Sequence, residues 1–374
     1  MILLSDDRIM EDTLLITRRP HGSPTPPHAR AALLEDPGFG KVFTDHMVTI
    51  RWTEGQGWHD AQVKAREPFQ LDPAAAVLHY AQEIFEGLKA YRTRGNDVVL
   101  FRPDANARRF VESADRMAMP QIPQELFLGA IEALVRTDAD WIPTGEGSLY
   151  LRPFMIATEA FLGVRPAQEY IFCVIACPVG AYFKGGAKPV TVWVSDAYTR
   201  AAPGGTGAAK CGGNYAASLV AQAEAIRNGC DQVVFLDAAE HRYVEELGGM
   251  NVFFVFDDGT LVTPPLGGTI LPGVTRDSIL TLAKEAGLDV QERLYSFDEW
   301  QADAASGRLK EAFACGTAAV LAAIGEIRHA GGAFKIGDGS EGPVTTKLRD
   351  QLTGIQRCTA PDPYGWVHKI DMDG

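Results

Sequence analysis

The sequence predicts a mixed α+β protein built as two domains. Three observations carry that prediction. The chain has 374 residues, more than one hydrophobic core usually serves. Short apolar runs of strand character are interleaved with stretches whose apolar residues recur at helical spacing. A glycine-bearing break, residues 183–189, reads as a linker between a domain over 1–182 and a domain over 190–374.

The elements follow in order. Residues 20–37 are rich in Pro and His and read as an irregular arm. Residues 42–52 and 98–101 read as strands. Pro103 opens a helix through 117, with Phe110, Val111 and Ala114 at helical spacing, and 126–137 is a second helix. Residues 148–158 and 170–177 are apolar strands, which closes a mixed first half. Past the linker, 190–195 is a strand and 197–209 a long loop. An Ala-rich helix over 215–227 ends at Asn228-Gly229, a C-cap signal. Strands follow at 232–237 and 251–256, and a turn at 257–260 leads into 261–263. Thr275 is expected to cap a helix that runs to Ala286 and stops at Gly287, with short strands at 312–314 and 320–323 beyond it.

Composition excludes several classes of function. Hydrophobic residues are 46% and charged residues 22%, the balance of a soluble globular protein. A formal net charge of -13 argues against a nucleic-acid partner, because no broad basic face can neutralise phosphates. The six cysteines, Cys173, Cys177, Cys211, Cys230, Cys315 and Cys358, form no CxxC pair, so zinc and thioredoxin-like chemistry are unsupported. Free thiols suit a reducing cytoplasm. The first 19 residues mix acidic with apolar residues and do not read as a signal peptide. No run of 18 apolar residues suggests a membrane span.

The chemistry starts at Lys210, in Ala209-Lys210-Cys211-Gly212-Gly213-Asn214-Tyr215. A lysine amine freed of its proton attacks carbonyls, and pyridoxal phosphate uses such a lysine for its Schiff base. An ATP-type phosphate loop is rejected: Ala209 stands where glycine is required, and Cys211 where a magnesium-binding hydroxyl is required. Taken alone, Lys210 would more often be a surface lysine in a glycine-rich turn. Three further groups change the balance. Glu246 offers a carboxylate for the cofactor's ring nitrogen, and strand alternation lets only one of Glu245 and Glu246 face it. Tyr215 offers a hydroxyl for the ring oxygen, although a core tyrosine is its blander reading. For the phosphate there is the run from Leu271 to Arg276 entering a helix, either a binding site or a plain N-cap. Arg108-Arg109 offers a guanidinium or merely a solvated face, and Cys315-Gly316-Thr317-Ala318 a hydroxyl and a backbone nest.

In company these segments are specific. The chain resembles branched-chain amino acid aminotransferases, of the fold type IV pyridoxal phosphate enzymes, from about Phe39 to Trp366. The resemblance rests on Val42 to Met47, Phe85-Glu86-Gly87-Leu88-Lys89-Ala90-Tyr91, Leu100 to Pro103, Ser148 to Pro153 and Gly180 to Phe183. It continues over Lys210 to Tyr215, Glu246 to Asn251, Leu271 to Arg276 and Gly316 to Ala318. It implies a D-amino acid aminotransferase-like fold, with a small N-terminal α/β domain and a larger C-terminal pseudo-barrel of strands and helices. It implies Lys210 as the imine lysine and proton carrier, Glu246 at the ring nitrogen and Tyr215 at the ring hydroxyl. Arg109, Val274, Thr275 and Thr317 fall on the phosphate contacts. Phe39, Tyr80, Phe85, Tyr150, Arg152, Tyr182 and Ala318 fall on the substrate pocket. The implied reaction moves an amino group between leucine, isoleucine or valine and 2-oxoglutarate, giving glutamate, in a cytoplasmic homodimer whose partner loop closes each site. Two departures stand out. Gly249 replaces a hydroxyl residue found in many relatives, and the redox CxxC of some mammalian relatives is absent. D-amino acid transaminases and aminodeoxychorismate lyases share the cofactor and fold, and a non-catalytic carrier of pyridoxal phosphate is a third reading.

Overall fold

The computed structural model describes residues 14–19, 21–180 and 188–372. Two nine-stranded sheets form its frame. The first takes β1 (Thr17–Arg18), β2 (His46–Thr53), β3 (Gly57–Ala65), β4 (Glu83–Phe85), β5 (Leu88–Arg92), β6 (Val98–Phe101), β7 (Ser148–Ala157) and β8 (Glu169–Val179). The second takes β9 (Val190–Ser195), β10 (Gln232–Leu236), β11 (Val244–Leu247), β12 (Asn251–Phe256), β13 (Thr260–Thr263), β14 (Asp289–Glu292), β15 (Leu309–Gly316), β16 (Val320–His329) and β17 (Gly332–Lys335). The chain's last strand, β18 (Val367–Ile370), leaves that second group and pairs with β6 at the edge of the first sheet. The first sheet is antiparallel apart from β1 on β3. The second is mixed, with β9 parallel to both β10 and β16.

The helices are α1 (Pro27–Glu35), α2 (Ala76–Tyr80), α3 (Pro103–Arg116), α4 (Gln124–Thr137), α5 (Gly212–Arg227), α6 (Val274–Glu285), α7 (Phe297–Ser306) and α8 (Pro343–Gln356). Those other than α1 each bury at least one residue, and the longer ones pack apolar faces on these sheets. Under α3 and α4, Phe110, Phe127 and Phe172 meet with ring centroids 5.3 to 5.8 Å apart, and all three are fully buried. In the second half Phe254 packs on Tyr295 at 4.6 Å and on Trp300 at 5.0 Å. A third cluster ties the halves together. Tyr91, Val99 and Phe101 of the first sheet share one apolar core with Phe253, Phe313, Leu282 and Leu352 of the second half. That shared core fixes the relative position of the two sheets, and the cavity described below opens between them.

Several elements depart from the sequence reading. Residues 20–37 are not irregular throughout, since α1 occupies Pro27–Glu35, with Pro27 in its first turn where a missing N–H costs nothing. The strand expected at 42–52 starts only at His46. Ahead of it Asp45 is tied down, accepting from Thr25 Oγ1 at 2.6 Å and from Trp141 Nε1 at 2.9 Å. The strand β3, the helices α7 and α8 and the strand β18 have no counterpart in the elements expected from sequence. Of these α7 has a readable signal, the capping box of Ser296 and Glu299.

That box predicts a measurable cost. Ser296→Ala loses the 3.1 Å acceptor of the Glu299 amide. The midpoint of urea unfolding should shift by an amount equivalent to about 1 kcal/mol, with catalytic constants unchanged.

Candidate active site

Lys210 is fixed by its backbone before its side chain does anything. Its N–H donates to Ser113 Oγ on α3 at 3.0 Å, and its carbonyl accepts from the Phe85 amide on β4 at 2.9 Å. The next residues explain why the motif is glycine-rich. The Gly212 amide donates to Glu83, and a side chain at 212 would collide with that carboxylate. Asn214 stitches the loop from the other side. Its Nδ2 donates to the carbonyls of Thr206 and Ala209 at 2.8 and 2.9 Å, and its Oδ1 accepts from Thr206 Oγ1 at 2.8 Å. With both flanks held, the Lys210 Nζ donates to the Tyr215 hydroxyl at 2.9 Å and stands 4.8 Å from the Phe85 ring centroid.

Lys210 lines a cavity of about 220 Å³ that also carries Phe39, Phe85, Arg109, Tyr150, Arg152, Tyr215, Glu246, Val274, Thr275, Thr317 and Ala318. Twelve of the fourteen residues singled out in the sequence therefore meet in one space. Tyr80 does not. It ends α2 with its side chain partly exposed and its ring 6.3 Å from Phe161. It forms no part of the cavity wall in this chain. Tyr182 lies outside the described residues, as do 183–187 of the expected linker.

Glu246 and Glu245 part company as strand alternation requires. Glu246 turns into the cavity and is 3% exposed. Its Oε1 pairs with Arg200 and accepts from the Leu271 amide at 3.1 Å. Its Oε2 has a single long contact, 3.4 Å, with Asn251 Nδ2. Burial pushes its carboxyl up to about 7, against the pull of the Arg200 charge. Glu245 instead accepts from Thr269 Oγ1 at 2.5 Å and is absent from the cavity wall.

The far end of the cavity has the donor set of an anion site. Gly273, not Thr275, occupies the N-cap position of α6, and no side chain caps that helix. Its first-turn amides therefore lack intrahelical acceptors, and Thr275 sits inside the turn, 6% exposed, with its hydroxyl uncommitted to capping. Arg109 faces the same space, 6% exposed. Arg108 pairs with Asp104 at 2.8 Å on the solvent side. Arg109 is aimed by Glu86, a member of the Phe85–Tyr91 motif to which the sequence alone assigns no role. Glu86 is fully buried. It accepts from Arg109 Nε at 2.6 Å and Nη2 at 2.8 Å, and from Asn106 Nδ2 at 2.8 Å. Burial would raise its carboxyl, but the Arg109 charge and these bonds hold it below the usual range. Arg109 Nη1 donates to the Pro272 carbonyl at 3.1 Å, just ahead of α6. A buried cation, free helix amides and two threonine hydroxyls suit a phosphate, and a paired lysine and a buried glutamate suit the rest of pyridoxal phosphate.

The opposite wall is aromatic with one cation. Phe39 meets Tyr150 at 5.2 Å. Arg152 Nη2 donates to the Tyr150 hydroxyl at 3.0 Å, its guanidinium lies 4.7 Å from the Phe85 ring centroid, and its Nε is buried with no partner among the described residues. Gly87 is forced by proximity, because a Cβ there would overlap the Tyr150 hydroxyl. At Gly249 a Cβ would only touch the Tyr215 ring, at 3.7 Å, so the departure from relatives is not imposed by space. Cys315 is buried, and burial pushes its thiol up to about 12, where little thiolate exists to react. Among the described residues no cluster of three metal-ligating side chains occurs, and no helix is long and apolar enough to cross a membrane.

The class of protein follows from this fold and site together with comparison to known proteins. The amino-transferase class IV family matches residues 83–327. A branched-chain-amino-acid aminotransferase of Mycolicibacterium smegmatis is 57% identical over 93% of this chain and 96% of its own length. That of Mycobacterium tuberculosis (strain H37Rv) is 58% identical over 91% and 94%. The Escherichia coli branched-chain amino acid aminotransferase crystal structure superposes with a TM-score of 0.72 at 30% identity, covering 86% of this chain and 99% of that one. A T.th. branched-chain amino acid aminotransferase solved with pyridoxamine 5'-phosphate gives 0.71 at 29%, covering 86% and 98%. The chain belongs to the class IV aminotransferases and, within them, to the branched-chain-amino-acid aminotransferases. The fold is fold type IV.

The Glu86–Arg109 pair yields a stability prediction. In the cofactor-free protein Glu86→Ala leaves Arg109 buried without a counter-charge, and removing one partner of such a pair costs about 3–5 kcal/mol. Thermal and denaturant unfolding should both register the loss, while Asp104→Ala, which frees the exposed Arg108, should change stability by less than about 1 kcal/mol.

Proposed function

We propose that this chain transfers the amino group between leucine, isoleucine or valine and 2-oxoglutarate, giving branched-chain 2-oxo acids and glutamate, with pyridoxal 5'-phosphate carried on Lys210. The observation that carries the reading is the Lys210 Nζ, 2.9 Å from the Tyr215 hydroxyl, in one cavity with a buried glutamate and a set of phosphate donors. Bound there, the cofactor supplies an aldehyde for amino groups and a ring that draws electrons from the substrate's α-carbon. The protein's residues do the rest. Lys210 Nζ takes the α-proton and returns it to the other carbon. Tyr215 orients that amine and meets the ring oxygen. Glu246 keeps a proton on the ring nitrogen. Arg109, Thr317 and the amides of Val274 and Thr275 hold the phosphate.

Substrate choice is assigned to the other wall. Phe39, Phe85 and Tyr150 enclose aliphatic side chains, and the Ala318 amide meets the substrate carboxylate. Leucine, isoleucine and valine differ by about one methylene, worth about 1–3 kcal/mol at most, so all three serve. Glutamate shares the pocket and brings a second carboxylate, for which Arg152, the cation of the aromatic wall, is the reader. A homodimer is supported by exposed apolar side chains: Leu78, Tyr80 with its ring by Phe161, and Leu162 and Val164. In that dimer Tyr80 serves a partner's pocket rather than its own. Six free cysteines fit a cytoplasmic setting.

Turnover of leucine with 2-oxoglutarate tests the whole reading. Its absence, with turnover of D-amino acids or of an aromatic lyase substrate instead, would favour the related enzymes of this fold, and bound cofactor without turnover would favour a carrier. Borohydride reduction followed by peptide mapping should label Lys210, and Lys210→Ala should lose transamination almost completely. Arg152→Met should slow the glutamate half-reaction more than the leucine half-reaction in single turnovers. Equal losses would mean that Arg152 only braces Phe85 and Tyr150.

A further inference from the structure

Arg200 lies in the loop ahead of Lys210, 7% exposed, and nothing in its sequence setting marks it. Its guanidinium pairs with Glu246 Oε1. Its Nη2 also donates to the Gly207 carbonyl at 2.9 Å and to the Thr269 carbonyl at 2.7 Å. Its Nε has no acceptor among the described residues. A cation brought this deep with one donor unmatched is costly, so the ion pair it makes there needs a purpose.

The charges around Glu246 are few. On its own strand stands Glu245, which repels it. From the loop just ahead of α5 come Lys210 and Arg200, of which Arg200 is the stronger cation acting on it. From β15 comes the Cys315 thiol, buried and protonated. β12 and the segment before α6 give only the Asn251 amide and the Leu271 N–H. Lys210 is committed to the cofactor when the site is loaded, which leaves Arg200 as the standing positive charge from the protein. Arg200 and Leu271 both engage Oε1, so they orient the carboxylate and leave Oε2 nearly free.

We propose that Arg200 is a positioning residue for transamination: it keeps Glu246 ionised and turned so that Oε2 meets the cofactor's ring nitrogen, and thereby keeps that nitrogen protonated. This rests on the reading of Glu246 as the ring-nitrogen partner. Without Arg200 a carboxyl already raised by burial turns neutral, and a neutral acid no longer stabilises a positive ring.

The test uses full-length enzyme loaded with cofactor labelled at the ring nitrogen, whose magnetic resonance shift reports that atom's protonation across pH. Arg200→Met removes the charge, Arg200→Gln keeps a donor without charge, and Arg200→Lys keeps the charge. The ring nitrogen should stay protonated in the wild type and largely so in Arg200→Lys. In Arg200→Met and Arg200→Gln its midpoint should fall by roughly 1–3 units, the effect of losing one adjacent opposite charge on the glutamate. Turnover should fall by about tenfold or more with little change in KM. Unchanged ring protonation in both neutral variants, while Glu246→Gln does shift it, overturns the role of Arg200 alone. No shift in Glu246→Gln either overturns the underlying reading of Glu246. Equal loss in all three Arg200 variants, accompanied by lower melting temperatures, means that Arg200 merely braces the Gly207 and Thr269 carbonyls and also overturns the proposal.

Discussion

Two buried carboxylates beside the cavity, Glu86 and Glu246, each have a cation in contact, and much of the arrangement around the cavity is organised by those two pairs. Glu86 lies between β4 and β5 of the first sheet and takes Arg109 from α3. Glu246 lies on β11 of the second sheet and takes Arg200 from the loop before Lys210. Neither pair adds much net stability, because desolvation offsets most of the attraction, but each fixes a geometry that an apolar pair would leave loose. One pair aims a guanidinium at the segment that enters α6. The other turns a carboxylate into the same cavity, and Lys210 shares that cavity with both charges.

The glycines nearby are the spatial counterpart of those pairs. Gly212 makes room for the Glu83 carboxylate, Gly207 for the Thr269 backbone and Gly87 for the Tyr150 hydroxyl. None of these three needs a left-handed backbone. Each is small because something functional or supporting stands where a Cβ would go. At Gly212 and Gly207, on either side of Lys210, the glycine reflects close packing rather than flexibility. Asn214 and Ser113 add to that by holding the loop with hydrogen bonds from two sides.

What could be read in the sequence was set by how local the cause was. Strands such as Val98–Phe101, Val190–Ser195 and Asn251–Phe256 were legible because their apolar runs are continuous and bounded by turn residues. The Lys210, Glu246 and Leu271 segments could be singled out because their residue types and spacing resemble a known chemistry, and the fold brings them to one cavity. Arg200 and Glu86 were not singled out, because a lone arginine in a loop or a glutamate in a strand motif carries no local sign of the partner it meets far along the chain. The start of α6 misled for a similar reason. Thr275 looks like a cap by composition, but the helix begins before it, at Val274, and that leaves the amides of the first turn uncapped. The place of Tyr80 rests on resemblance alone, and in the single chain its ring lies by Phe161, away from the cavity wall.

The same physics bears on how this pocket would, on the proposed function, serve apolar and acidic side chains in turn. A bare cation in an aromatic pocket would repel aliphatic groups through its hydration. Arg152 avoids this by presenting its flat face to the rings of Phe85 and Tyr150, at 4.7 and 5.4 Å, so that its hydrated edge is narrow. One edge donor is held by the Tyr150 hydroxyl, and Nε waits without a partner among the described residues. A guanidinium is more weakly hydrated than an ammonium, so leaving that donor idle beside a methyl group costs less than it would for lysine. On the proposed function, an arriving carboxylate would meet the guanidinium edge that faces the cavity, while the buried Nε would need the side chain to shift before it could donate. An aliphatic chain would instead cover the surface over the rings.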